Sequence, residues 1–439
     1  MQRRPNASVF AGRGTKLLKA FRNAFAIPDL RRKIIFTFVI IAIYRLGCSI
    51  PSPGVDVKVL GELVSQGGFL GFLNIFSGGA ISNLAIFGLG IMPYITASII
   101  MELLTAVIPK LKDWQEEGEV GRRKITQVTR YLTLGLAVMQ STAFVTLFSR
   151  AQDINGKTQY IINYPFTKAA VIVLTLTAGM ALLMWMGELI TDRGVGNGMS
   201  ILIFIAIVAR TPQEWYSLGS NVVLRYGYYL LPMLAIVALA VIVAVVFIDQ
   251  GERRIPVQYA KQIRGRRMTM GGSTYLPLKV NTAGVIPIIF ASSVIYFPTM
   301  IAGFVRSFQR AATWMTHGVP YFTIYTGLIV FFAYFYSAIV FDPFTQAEHL
   351  KKYGAFVPGI RPGNPTATYF SKVMNRITLP GSIFLAAIAL LPALMFQFFG
   401  TQTAPFGGAA IMIIVGVSLE TMKQIEAQLQ MRHYEGFLK

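Results

Sequence analysis

Residues 229–248 read YLLPMLAIVALAVIVAVVFI, an uninterrupted apolar run. A backbone in hydrocarbon must satisfy its own N–H and C=O groups, which leaves only helices and closed barrels. A helix crosses a core about 30 Å thick with about 20 apolar residues. Runs of this kind recur along the chain and predict helical spans near 33–50, 83–108, 129–149, 169–190, 199–217, 229–248, 282–303, 321–341, 377–396 and 407–422, ten in all. Composition agrees, with 54% hydrophobic and 13% charged residues against about 25% charged in soluble domains.

An even number of spans puts both termini on one side, and basic residues choose which. With the amino terminus inside, 31 of the 40 Lys and Arg lie on the inner side and eight outside, Arg45 being within the first span. A net charge of +21 is therefore first a topology signal. Both ends are predicted to be cytoplasmic. Residues 14–27 place Leu17, Leu18, Phe21 and Phe25 on one face and Lys16, Lys19 and Arg22 around the other, as in a helix lying in the interface. No small-x-small cleavage site follows the first apolar run, so it is read as retained. Cys48 is the single cysteine, and RLGC departs from a lipoprotein box at Arg45. One cysteine and three scattered histidines, His317, His349 and His433, suggest neither disulfide nor metal.

A repeat lies within the spans. GIMPYITASII from Gly90 and GVIPIIFASSV from Gly284 coincide at Gly90 and Gly284, Pro93 and Pro287, Ile95 and Ile289, Ala97 and Ala291, and Ser98 and Ser292. A repeat of five spans must set its second copy upside down, the inverted plan of many transporters. The alternative is chance, since Gly, Pro, Ala and Ser are common in membrane helices. The fifth and tenth spans add a second hint, both being short and led by glycines, GVGNGMSILIF from Gly194 and FGGAAIMIIVG from Phe406. Spans two, five, seven and ten are the pore candidates.

Few charges lie inside spans. Arg45, Glu102 and Glu188 all fall near an interface, where a structural role is the simpler reading. The candidate helices instead carry Ile91 and Ile95, Met199 and Ile203, Ile289 and Ile413, the first two pairs at i, i+4. A ring of such side chains can close a pore by dewetting, although spacing alone favours the ordinary reading that they face lipid or a neighbour. The outer connection 51–80 is apolar, with Leu63, Val64, Phe69, Leu70, Phe72 and Leu73, yet too short for another span. It folds back as a plug or re-entrant element, or lies as an interfacial loop. Two inner loops, 249–280 and 342–376, are long and basic. They suit an anionic body such as ribosomal RNA or an acidic motor protein, or simply hold the topology. No phosphate loop, HExxH or Gly-rich nucleotide turn is present, so neither an enzymatic activity nor a cofactor is expected.

FSGGAISNLAIFGLGIMPYITASIIMELL from Phe76, EGEVGRRKITQVTRY from Glu117, GELITDRGVGNGMSILIF from Gly187, LPLKVNTAGVIPIIFASS from Leu276 and GAFVPGIRPG from Gly354 together resemble the SecY family of protein-translocase channel subunits. The resemblance runs from about Ala20 to the tail. It implies an all-α integral membrane protein of ten transmembrane helices, in two inverted pseudo-repeats of five around an hourglass pore. The parts would be an amino-terminal segment 1–30, a first half 31–220 with a plug at 54–80, a second half 221–425 with the basic loops, and a tail 426–439.

The same resemblance implies a channel that passes unfolded secretory polypeptides across the bacterial cytoplasmic membrane and releases hydrophobic segments sideways between spans two and seven. Its pore ring would be Ile91, Ile95, Met199, Ile203, Ile289 and Ile413, with Met199 in place of the usual isoleucine. The lateral gate would include Thr96, Ser98, Ser292, Ser293 and Phe297. Arg253, Arg254, Lys261, Arg264, Arg266, Arg267 and Arg361 would dock the ribosome and the SecA motor. SecE and SecG are the implied partner subunits, with membrane lipids around them. Two other classes fit parts of the sequence: a small-solute transporter, which would need a midplane charge, and a ribosome-binding scaffold, which would need neither plug nor ring.

Overall fold

The structure, a computed structural model, describes residues 27–53, 55, 57, 60, 61, 64, 74–148, 152–154, 157–159, 166–259, 262–264, 267–269, 272–292, 294, 295, 314, 315, 318–399 and 408–435. The expected interfacial helix at 14–27 lies outside them, save for Ile27.

Helix α1, Pro28–Ser49, starts with Pro28 in its first turn, where the missing N–H removes no helix bond, and with Asp29 at the positive end of the dipole. Leu30, Ile34, Thr37, Ile40, Tyr44 and Cys48 form its buried stripe, while Ile35, Phe38, Ile43 and Leu46 are exposed on the other face. A helix apolar on both sides belongs in lipid. Helix α2, Met92–Val107, ends where Ile108 turns extended before Pro109, as steric clash with a proline ring requires. Helix α3, Pro109–Glu116, then leaves at 98°. Helix α4, Glu119–Phe148, leads to a small antiparallel hairpin of β1, Gln152–Ile154, and β2, Lys157–Gln159. Helices α5, Phe166–Arg193, α6, Gly198–Tyr226, and α7, Leu230–Asp249, follow.

The loop after α7 contains β3, Glu252–Tyr259, then β4, Gln262–Arg264, paired with β5, Arg267–Thr269, then β6, Ser273–Lys279. Residues 286–292 are helical. Helix α8, Gly318–Val340, helix α9, Pro343–Lys352, strand β7, Ala355–Phe356, helix α10, Asn364–Phe399, and helix α11, Gly408–Glu435, complete the order. Strands pair in the order β6-β3-β7, all antiparallel, with Ile255 opposite Leu276 and Gln258 opposite Phe356. Both basic loops thus contribute to one sheet.

Each expected span apart from the seventh overlaps one described helix, and the seventh is represented by residues 286–292. By length and hydropathy together, three described helical segments are able to cross a membrane: Ala169–Arg193, Val319–Lys352 and Asn364–Leu391. The bent pair α2 and α3 makes a fourth if it counts as one span. One expectation is corrected. The second span begins at Met92 rather than near 83, because residues 77–91 run as turns, with Leu84 at φ 38° and Gly90 at φ 58°. The helices that carry the fifth and tenth spans run on past them, α6 having 29 residues and α11 having 28, while the apolar part of α6, Gly198–Gln213, is itself short. Hydropathy marks lipid contact, and both helices continue beyond their apolar stretch into polar sequence.

The chain forms two compact units, residues 1–212 with 417–439, and residues 213–416. In the first, one apolar cluster joins Ile40, Tyr44, Phe87, Ile91, Leu183, Ile190, Met199, Leu202 and Ala206. In the second, α8 packs on α10, with the Tyr334 hydroxyl donating to the Asn375 carbonyl at 3.2 Å. A further cluster there joins Ile255 and Leu278 of the sheet to Val357, Phe370, Val373 and Met374.

Candidate pore-lining site

The link between α5 and α6 shows how sequence positions the site. Gly194 to Asn197 turn the chain in four residues, and the first N–H groups of α6 need acceptors. Asn197 Oδ1 accepts from the amides of Met199 at 3.1 Å and Ser200 at 3.3 Å. Thr191 Oγ1 accepts from the Gly198 amide at 2.9 Å, and Thr37 Oγ1 of α1 accepts from the Val195 amide at 3.3 Å. A Cβ on Gly198 would overlap the Gly187 carbonyl, so glycine is what allows α6 to start against α5. Met199 and Ile203 are thereby aimed from a fixed helix start. Met199 enters the cluster that holds Ile91, itself 1% exposed, while Ile95 and Ile203 pack on it half-buried. Four of the six expected ring residues thus share one apolar cluster. In the second unit, Ile289 and Ile413 are both buried.

The two repeat copies match in backbone as well as in sequence. Gly90 has φ 58° and Gly284 has φ 61°, each two residues before a helix begins at Met92 or at residue 286. Left-handed φ is open to glycine at little cost. Pro93 sits in the first turn of α2 and Pro287 in that of the other helix.

After a helical turn at 74–76, residues 77–91 carry irregular backbone, which is tolerated at membrane depth only where protein satisfies it. Ser82 N donates to Asn74 Oδ1 at 3.1 Å, Ile81 N to Ser77 Oγ at 3.3 Å and Gly79 N to the Asn74 carbonyl at 2.9 Å. Helix α1 holds this segment from one side: Arg45 Nη1 donates to the Gly78 carbonyl at 3.0 Å, and Tyr44 stacks on Phe87 with centroids 5.9 Å apart. Arg45 therefore has the structural role that its position suggested. Glu188 does too, taking a bidentate pair from Arg130 at 2.6 and 2.8 Å that ties α5 to α4.

Of the expected plug residues, Val64 is described and buried, one helical turn from the buried Leu60. Leu63, Phe69, Leu70, Phe72 and Leu73 lie outside the described residues. Among the gate candidates, Thr96 and Ser98 are half-buried on α2, with the Thr96 hydroxyl donating to the Met92 carbonyl at 3.0 Å. Ser292 is buried and bonds the Ile288 carbonyl at 2.8 Å and the Tyr325 hydroxyl at 2.9 Å. Ser293 and Phe297 lie outside the described residues.

The basic loops build a platform in the second unit. Arg253 and Arg254 are exposed on β3, with Arg254 paired to Glu252 at 2.7 Å. Arg264 and Arg267 are register partners in the β4–β5 pair, while Lys261 and Arg266 lie outside the described residues. Arg361 is exposed at the VPGIRPG turn, which is fixed by buried Val357, half-buried Ile360 and the Thr366 hydroxyl bonding the Arg361 carbonyl at 2.8 Å. The sequence reading missed this sheet. Its signal was the alternation of Ile255 and Val257 with exposed neighbours. Asn197 and Tyr44 were missed as well, because a cap and a stacking partner are defined by distant backbone.

A buried apolar cluster packed on a hydrogen-bonded, irregular segment suits a constriction. Comparisons with known proteins point the same way. The sequence profile of the SecY family matches residues 85–422. The protein translocase subunit SecY of Streptomyces coelicolor is 51% identical over 437 residues, covering 96% of this chain and 100% of the relative. A solved SecY channel, described as having a plug domain that stabilises its closed state and maintains a membrane seal, aligns with TM-score 0.61 at 16% identity, over 90% of this chain and 92% of that one. Sec61 from the canine ribosome–channel complex of the endoplasmic reticulum aligns with TM-score 0.56 at 16% identity, again over 90% and 92%. At that identity the two structures speak to the fold alone, and the family rests on the profile and the full-length relative. The chain belongs to the SecY family.

Proposed function

We propose that this chain is the channel subunit of a protein translocase, conducting unfolded polypeptides through a membrane. The observation that carries the reading is the shared cluster of Ile91, Ile95, Met199 and Ile203, held by capped and hydrogen-bonded backbone. Ile289 and Ile413 complete the ring in this reading. An apolar, deformable collar holds no ion well and has no preference among side chains, which suits arbitrary polypeptides. Methionine at 199 adds an unbranched, adaptable side chain to it.

The remaining parts follow. Residues 54–80 form the plug, and Leu60 and Val64, both buried, support that. A hydrophobic segment leaves between spans two and seven, past Thr96, Ser98, Ser292, Ser293 and Phe297, because lipid solvates it better than the pore does. The β3–β6 platform with Arg361 receives a ribosome or the SecA motor, and SecE and SecG brace the two halves. Relatives in bacteria and the positive-inside count support the cytoplasmic membrane with both termini inside.

The test places a photocrosslinker at Ile95 and, as a control, at Val107, exposed on the same helix. Capture of a stalled secretory chain at Ile95 and not at Val107 is expected. No capture at Ile95, with the protein folded and the ribosome docked, refutes the conduit.

A further inference from the structure

Tyr325, Ile329, Ala333 and Ser337 follow one another at i, i+4 steps on α8, and all four are buried. This stripe is apolar in its middle and carries a hydroxyl at each end, about 18 Å apart at 1.5 Å per residue. Both hydroxyls bond to the stretch that holds the seventh span. Ser337 Oγ lies 3.0 Å from Thr282 Oγ1, and the Tyr325 hydroxyl lies 2.9 Å from Ser292 Oγ. In the second pair the direction of the bond follows from proton count. Ser292 gives its one hydroxyl proton to the Ile288 carbonyl at 2.8 Å, so Tyr325 donates and Ser292 accepts. A third tie falls between the two, where Phe290 stacks on Phe332 with centroids 5.0 Å apart and ring planes at 18°.

Ile289 is the residue these ties enclose. On one side of it the Ile288 carbonyl takes the Ser292 proton, and on the other Phe290 lies against α8. Tyr325 and Ser292 are both buried, so water does not compete for the bond between them. The run from the Tyr325 hydroxyl through Ser292 to the Ile288 carbonyl therefore fixes how residues 286–292 are turned about their helix axis. We propose that Tyr325 is a positioning residue for the pore ring: its hydroxyl, acting through Ser292, sets where Ile289 stands. It does for the second unit what Asn197 and Thr191 do for Met199 and Ile203 in the first. The proposal rests on the reading of Ile289 as a ring residue. A merely structural tyrosine would lower stability when changed and leave the seal intact.

The experiment reads ion leak from liposomes that hold the full chain with its copurifying subunits, alongside thermal unfolding. Tyr325→Phe removes the hydroxyl and keeps the ring. Leak rises about five-fold, the equivalent of one hydrogen bond of about 1 kcal/mol. Tyr334→Phe is the matched control, because it removes a hydroxyl from the same helix, one that is bonded to the Asn375 carbonyl of α10 at 3.2 Å. Its leak stays at the wild-type level, and the two variants unfold at similar temperatures. Ser292→Ala combined with Tyr325→Phe leaks no more than Tyr325→Phe alone, since the pair shares one bond, and a further rise in the double variant overturns the route through Ser292. Ile289→Ala leaks as well. A tight Ile289→Ala protein overturns the ring reading and this proposal with it, whereas a leaking Ile289→Ala beside a tight Tyr325→Phe overturns the positioning role alone. So does equal leak in Tyr325→Phe and Tyr334→Phe, which marks a general loosening of α8.

Discussion

Gly187 and Gly198 should differ in what the same added methyl group does to stability. Alanine is favoured over glycine inside a helix by about 1 kcal/mol, so propensity alone predicts that Gly198→Ala and Gly187→Ala both stabilise. Packing decides otherwise. A Cβ at position 198 overlaps the carbonyl of Gly187, a rigid backbone atom within α5, so the α5–α6 turn must open. Overpacking of this kind costs about 1–3 kcal/mol, and with no flexible neighbour the upper end applies, leaving a net loss of about 2 kcal/mol. A Cβ at position 187 instead meets the sulfur end of Met199, which can rotate away. An off-rotamer Met costs about 0.5–1.5 kcal/mol, which the propensity gain offsets. Thermal unfolding of the purified chain with its subunits should therefore fall for Gly198→Ala and stay near wild type for Gly187→Ala. Ion leak from liposomes should rise in both, since each re-aims Met199. A Gly198→Ala protein as stable as wild type would refute the close approach, and with it the claim that this turn sets the ring.

Replacing Arg45 by Met removes the donor to the Gly78 carbonyl, worth about 1.5–3 kcal/mol for a charged hydrogen bond. Maleimide labelling of a Ser77→Cys probe, buried in wild type, should speed up, and unchanged labelling would show that the arginine is dispensable to residues 74–91. Phe370 is 0% exposed beneath the sheet and meets Phe341 edge-on at 6.2 Å. Phe370→Ala should cost about 3–5 kcal/mol, seen as faster proteolysis between residues 252 and 279, whereas intact resistance would separate the platform from that cluster.

How much of this was legible depends on whether a feature answers to lipid or to distant backbone. The apolar runs were legible because hydrocarbon leaves the backbone one choice, but helix ends were not. The second helix begins at Met92 because Gly90 turns left-handed, a conformation no hydropathy profile sees. The repeat was legible as five identities, and its physical content is that Gly90 and Gly284 adopt the same φ before a proline-led helix. The i, i+4 pairs Ile91–Ile95 and Met199–Ile203 were legible as helix faces, but their meeting depends on Asn197, Thr191 and Thr37 fixing where α6 starts. The basic loops were legible as charge and illegible as a sheet, since β3 and β7 lie about a hundred residues apart and pair at only two positions. The few charges within spans complete the argument. Arg45 holds a carbonyl and Glu188 holds Arg130, so these two are committed to structure rather than to an ion path. In the proposed channel, what is left to set selectivity at the cluster is side-chain bulk and apolarity, and a barrier made of those would open to any chain able to push the side chains apart.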